Sequence, residues 1–249
     1  MSAPRPLIAG NWKMHGLSGS LDEARAVAAA VDETPPGARV ALCPPATLIQ
    51  RMAEVLAGSG VSVGGQDCRS ERDGAFTGCL SAEMLADAGA RLVILGHSER
   101  RALYGETSAD VAAKVGAALR AWLEPIICVG ETLAERQAGR TLEVVLGQVG
   151  QSLPDALAAH AFAVAYEPVW AIGSGLTPTI AEIEAVHGAI RGALVARWGE
   201  AGGASPILYG GSVKPDNAAV ILAGAEVGGA LVGGASLKAA DFLPIVRAA

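Results

Sequence analysis

Much is missing from this 249-residue chain, and each absence excludes something. Aromatic residues make up only 4%. No uncharged apolar run approaches the roughly 18 residues of a membrane-spanning helix, although 51% of the residues are hydrophobic, so no membrane association is expected. The N-terminal string MSAPRPLIAGNWK carries no apolar stretch ahead of a small-residue cleavage site, so no signal peptide is expected and the chain reads as cytoplasmic. Basic charge is scarce. With a formal net charge of −6 the chain should not attract nucleic acid, and any anion must be held by a local site working against the global field.

Cysteine is sparse as well. Cys43, Cys68, Cys79 and Cys128 form no C-x-x-C pair, and His15, His97, His160 and His187 do not cluster with them. Neither a zinc site nor a disulfide framework follows, and four reduced thiols are expected. His97-Ser98-Glu99 has the H-x-E form of zinc deaminases but lacks the P-C-x-x-C partner, so no metal site is assigned. No low-complexity tract or linker divides the chain, which is read as one domain over residues 1–249.

What is present is an alternation. Short β-branched, apolar runs occur at 7–9, 39–43, 61–65, 91–95, 125–129, 161–166, 207–209 and 230–232. Each is too short for a helix and reads as a strand buried on both faces. Between them lie stretches with helical spacing, such as Leu21, Ala24, Ala28 and Val31, and Ile183, Val186, Ile190, Leu194 and Trp198. Further helices are expected over 46–56, 109–122, 142–152 and 215–222. Strand–helix alternation implies right-handed crossovers and a parallel sheet, and eight units in this length favour a closed (β/α)8 barrel of the α/β class. An open doubly wound sheet would usually show G-x-G-x-x-G after its first strand. Here that position reads Asn11-Trp12-Lys13-Met14-His15-Gly16.

In such a barrel the chemistry lies on the loops that follow the strands' C-terminal ends. Those positions hold Asn11 and Lys13 after the first strand, His97, Ser98 and Glu99 after the fourth, and Glu167 after the sixth. Gly210-Gly211-Ser212 follows the seventh strand and Gly233-Gly234-Ala235-Ser236 the eighth. The paired glycines allow close backbone approach, and with a helix expected to start near Ser236 they suggest a phosphate cradle; tight turns alone are the competing reading. Burial should raise the pKa of Glu167 and improve it as a base, unless a neighbouring arginine satisfies it. His97, at a helix opening, should stay neutral and donate a hydrogen bond, or else be structural. Lys13 could stabilise an oxyanion or serve as an ordinary ion-pair partner. Together these groups describe proton transfer α to a carbonyl in a phosphorylated substrate. An enediolate there needs protection from water, and residues 168–178, with Ile172 at an apolar tip, fit a cover.

The strings AGNWKM (9–14), GHSERR (96–101), CVGE (128–131), AYEPVWAIG (165–173), YGGSV (209–213) and LVGGASL (231–237) occur in this order along the chain. On these residues the chain resembles the triosephosphate isomerase family over its whole length. The resemblance implies a TIM barrel that interconverts dihydroxyacetone phosphate and glyceraldehyde 3-phosphate without a cofactor. It implies Glu167 as base, neutral His97 as electrophile, and Lys13 and Asn11 as substrate contacts. Gly173, Ser212, Gly233 and Gly234 would contact phosphate, and Glu99 and Cys128 would support the site. It also implies a homodimer formed through the loop from Gln66 to Gly78. Cys79, His15, Ser174, Pro178 and Gly228 depart from the family's usual residues, and Cys79 removes a glutamate of an ion pair expected near the interface.

Two other functions compete. A Schiff-base aldolase needs a desolvated lysine, commonly at the end of the sixth strand. The lysines are Lys13, Lys114, Lys214 and Lys238, and the sixth strand ends in Glu167. An inactive scaffold should show a broken catalytic set, yet Asn11, Lys13, His97 and Glu167 are all in place.

Overall fold

The computed structural model describes residues 5–173 and 176–249. Ser174 and Gly175, within the segment expected to act as a cover, and residues 1–4 of the N-terminal string lie outside the described residues. Eight strands form the sheet: β1 Leu7–Asn11, β2 Arg39–Cys43, β3 Val61–Gly65, β4 Leu92–Leu95, β5 Glu124–Val129, β6 Ala163–Tyr166, β7 Ile207–Tyr209 and β8 Gly229–Val232. Every strand pairs in parallel with its sequence neighbour, and β8 pairs back onto β1 through Leu7 with Gly229 and Gly10 with Val232, closing the barrel. Closure is why these strands read as apolar runs without alternation: one face fills the barrel and the other receives helices.

The two faces bury different side chains. Leu7, Ala9, Ala41, Cys43, Leu92, Ile94, Ile126, Cys128, Ala163, Ala165, Leu208 and Leu231 pack as one interior cluster. The alternate residues, including Ile8, Val40, Leu42, Val93, Ile127, Val164 and Tyr209, join a second cluster with the helices. Small alanines in the interior suit an eight-stranded barrel, whose lumen only just accommodates side chains. The cysteines are all free, and Cys43 and Cys128 sit in the interior, where burial pushes the Cys43 thiol up to about 12.

Two helical expectations shift. The helix expected over 215–222 is Ala218–Leu222, because Asn217 Oδ1 accepts the Lys214 amide at 2.8 Å and holds the preceding residues in a turn. The helix expected near Ser236 begins at Ala239, and a 3-10 turn, Gly234–Ser236, occupies the earlier position. No helix among the described residues is long and apolar enough to cross a membrane.

Candidate active site

At the C-terminal mouth of the barrel lies a cavity of about 730 Å³. Its lining includes Asn11, Lys13, His97 and Glu167 together with Gly173, Gly210, Gly211, Ser212, Gly233 and Gly234. Every residue expected to touch substrate therefore reaches one space. Glu99 and Cys128 stand behind it.

Lys13 is presented by a strained turn. Its φ is 51°, the left-handed region, which costs a non-glycine residue about 1–3 kcal/mol. Two contacts hold it there: Asn11 Oδ1 accepts the Lys13 amide at 3.0 Å, and Gln66 Nε2 donates to the Lys13 carbonyl at 2.9 Å. The same Gln66 nitrogen donates to the Cys43 carbonyl at 2.8 Å. The ammonium meets Glu99 Oε1 at 2.6 Å. Between them, Trp12 is buried, and its Nε1 donates to the Ser236 carbonyl at 3.0 Å, tying the β1 loop to the β8 loop. Ser236 in turn donates to the Gly233 carbonyl at 2.7 Å, fixing the glycine wall.

His97 caps the helix Ser98–Tyr104, its Nδ1 accepting the Glu99 amide at 3.2 Å. With Nδ1 occupied as an acceptor, the neutral ring carries its proton on Nε2. That nitrogen lies 3.0 Å from Glu167 Oε1. The Glu167 carboxylate also accepts the Ser98 amide at 3.0 Å on Oε2 and the Ser98 hydroxyl at 3.1 Å on Oε1.

These contacts reverse one expectation. Burial does push the Glu167 carboxyl up, but the His97 charge and the hydrogen bonds from His97 and Ser98 outweigh it, so the carboxyl sits below its ordinary value. No arginine satisfies this carboxylate; a histidine and a serine do. On His97 burial acts downward, and so, more weakly, does the Lys13 charge. The adjacent carboxylate outweighs both and lifts the ring above its ordinary value while carboxylate and ring remain in contact. The amide on Nδ1 still leaves Nε2 as the ring's available donor. Cys128, fully buried below Glu167, is held well above the usual thiol range by burial and then by the Glu167 charge, so it stays protonated beside the carboxylate.

The sequence reading gave no role to Ser98, Gln66 or Trp12. Gln66 is the first residue after β3, so the rule applied to the other strand ends points to it equally. Ser98 lies inside the GHSERR string, and its place at the first turn of a helix facing β6 appears only in three dimensions. Glu131, fully buried, accepts Tyr166 Oη at 3.2 Å and Trp170 Nε1 at 2.8 Å, which anchors the chain just past Glu167. Among the described residues no group of three or more His, Cys, Asp or Glu is placed to hold a metal ion.

Comparison with known proteins agrees with this geometry. The family model described as triosephosphate isomerase matches residues 6–249. A protein of that name from Caulobacter vibrioides is 61% identical over 247 residues, covering 99% of this chain and 98% of its own. Another from Hyphomonas neptunium is 57% identical over 246 residues, covering 99% of both. The crystal structure of triosephosphate isomerase from Bartonella henselae superposes with a TM-score of 0.91 at 47% identity, over 98% of each chain. The chain belongs to the triosephosphate isomerase family.

Proposed function

We propose that residues 1–249 act as one domain that interconverts dihydroxyacetone phosphate and glyceraldehyde 3-phosphate, with Glu167 as the base. The observation that carries the assignment is the contact between Glu167 Oε1 and His97 Nε2 at 3.0 Å beside the Lys13 ammonium in one cavity. Glu167 takes the proton from the carbon next to the substrate carbonyl and returns it to the neighbouring carbon. His97 Nε2 donates to the oxygen on which charge develops, and Lys13 stabilises that charge. A positioned general base contributes about 10²–10⁴-fold and an oxyanion donor about 10²–10³-fold. Asn11 positions Lys13. Gly173, Ser212, Gly233 and Gly234 take the phosphate, whose charge the small polar wall accepts through backbone amides.

The unliganded arrangement suits this cycle. Base and acid satisfy each other until substrate separates them. Substrate entry breaks the His97 and Ser98 contacts that hold the Glu167 carboxyl low, while its burial persists. The carboxylate then becomes a stronger base where it is needed. Loss of the carboxylate contact likewise removes what raises His97, favouring the neutral ring.

Glu167→Asp retracts the carboxylate by one methylene. We expect kcat to fall by about 10²-fold or more with KM changed far less, in an assay coupled to glyceraldehyde 3-phosphate turnover. Equal losses in kcat and in binding of a phosphoglycolate-type inhibitor would remove Glu167 from this role. Borohydride with substrate should trap no adduct on Lys13, which separates the isomerase from an aldolase.

A further inference from the structure

The loop after β5 contributes a side chain that neither the motifs nor the cavity lining singled out. Arg136 lies on the short helix Leu133–Gln137, 30% exposed, and does not line the cavity. Its guanidinium lies over the Trp170 ring, 4.0 Å from the centroid. The same guanidinium pairs with Glu182 through Nη2. Trp170 and Glu182 stand at opposite ends of the chain that leaves Glu167 and runs into the helix Ile180–Trp198.

Each end is fixed locally. On the leading side, Pro168 starts the turn Val169–Ala171, the Val169 amide donates to the Glu131 carbonyl at 3.1 Å, and Trp170 Nε1 donates to the Glu131 carboxylate at 2.8 Å. On the trailing side, Glu182 Oε2 accepts the Thr179 amide at 2.7 Å and its hydroxyl at 2.9 Å, and Thr179 Oγ1 accepts the Glu182 amide at 3.3 Å. Arg136 touches both anchors, stacking on Trp170 and pairing with Glu182. We infer that Arg136 is a positioning residue for the isomerisation, a clamp that holds the two ends of this segment in register and thereby sets Ile172 and Gly173 in the cavity wall.

The chemistry of the contacts selects arginine. A planar guanidinium can stack on an indole face and bond a carboxylate edge-on at once, which an ammonium cannot. The ion pair by itself contributes little, because both partners are partly exposed and screened. Its weight lies in the geometry shared with Trp170. Losing the clamp lowers the fraction of molecules whose wall is in place, and apparent affinity falls by that same fraction while the chemical step in a filled site is spared.

This inference rests on the reading of the cavity as the isomerase site, and its test keeps the two apart. We expect Arg136→Ala to raise KM for glyceraldehyde 3-phosphate and Kd for a phosphoglycolate-type inhibitor about tenfold, with kcat within about threefold of wild type. Inorganic phosphate released per turnover should rise, since an unclamped wall reopens more often before reprotonation and an exposed enediolate expels phosphate. Arg136→Lys should recover only part of the loss. Glu182→Gln should share it, and the double variant should fall short of the product of the single effects, because both break one bridge. Unchanged KM, Kd and phosphate release in Arg136→Ala would overturn the clamp, as would effects of Arg136→Ala and Glu182→Gln that simply multiply. An unimpaired Glu167→Asp would instead overturn the site assignment, leaving the inhibitor-binding comparison at Arg136 to stand or fall separately.

Discussion

His187 takes no part in the cavity, yet it carries a consequence for acid stability. It is fully buried on the helix Ile180–Trp198, Nδ1 bonds with the Glu226 carbonyl at 3.0 Å, and its ring meets Tyr166 edge-on at 5.9 Å. Burial pulls its pKa down to about 4, from 6.5. Between those values the unfolded chain binds a proton that the folded chain does not, so stability falls as pH drops from 6.5 towards 4. The loss is on the order of 3 kcal/mol across that window. Thermal melts from pH 7 to 4 should show this decline, and His187→Gln should flatten it; an unchanged slope would remove His187 as the cause. From sequence His187 was noted only as standing apart from the cysteines; its burial and protonation depend on packing from Tyr166 and Glu226. At the cavity, by contrast, residue identity was legible, because barrel topology sends the residue after each strand to a common rim. What was not legible was direction: Glu167 turns onto Ser98 and His97, and that reverses the pKa shift expected from burial alone.

At the level of elements, strand starts and ends followed the apolar runs to within about two residues, because each run is buried on two faces; the charges that enter, Arg39 and Glu124, stand at strand starts and pair with each other at 2.7 and 2.8 Å. Helix starts were less legible where side chains cap turns, as Asn217 does. The β6–β7 pair shows how closely the strand ends are fitted. Gly210 donates its amide to the Tyr166 carbonyl at 2.7 Å, and a Cβ on it would lie 2.8 Å from Glu167 Cγ. Gly210→Ala should displace the base more readily than the strand. We expect kcat to fall about 10²-fold with melting temperature lowered by only a few degrees, on the scale of a 1 Å misplacement. A variant with normal kcat would mean that the carboxylate has room to yield. Gly228, whose departure from the family was unexplained by sequence, is explained by packing. A Cβ there would lie 2.9 Å from the Ile207 amide nitrogen, so this backbone leaves no room for a side chain without shifting. Nearby, Arg191 Nε pairs with Glu226 at 2.8 Å.

For the whole molecule, the loop containing Cys79 and its surroundings bear on assembly. Within the loop from Gln66 to Gly78, Arg69 bonds Glu71 at 2.9 and 3.0 Å and stacks on Phe76 at 4.0 Å. A second cavity of about 760 Å³ shares Asn11, Lys13 and His97 with the first and is rimmed by Met14, Leu103 and Tyr104. Those three are 94%, 76% and 71% exposed. Exposed apolar side chains grouped at one cavity are suited to cover by a partner. We expect a homodimer that seats the loop from Gln66 to Gly78 in its partner's second cavity. Light scattering at micromolar concentration should give twice the chain mass, and a monomer there would contradict it.

Barrel closure by β8 on β1, reinforced where Trp12 reaches Ser236, makes the first-made part of the chain wait for the last. During synthesis the ribosome must extrude Gly229 before the sheet can lose its two raw edges. Until then β1 and β7 each offer unpaired amides and carbonyls to any passing strand. Lys13 and the glycines after β8 line one cavity, so that wall of the pocket is complete only after β8 has joined β1.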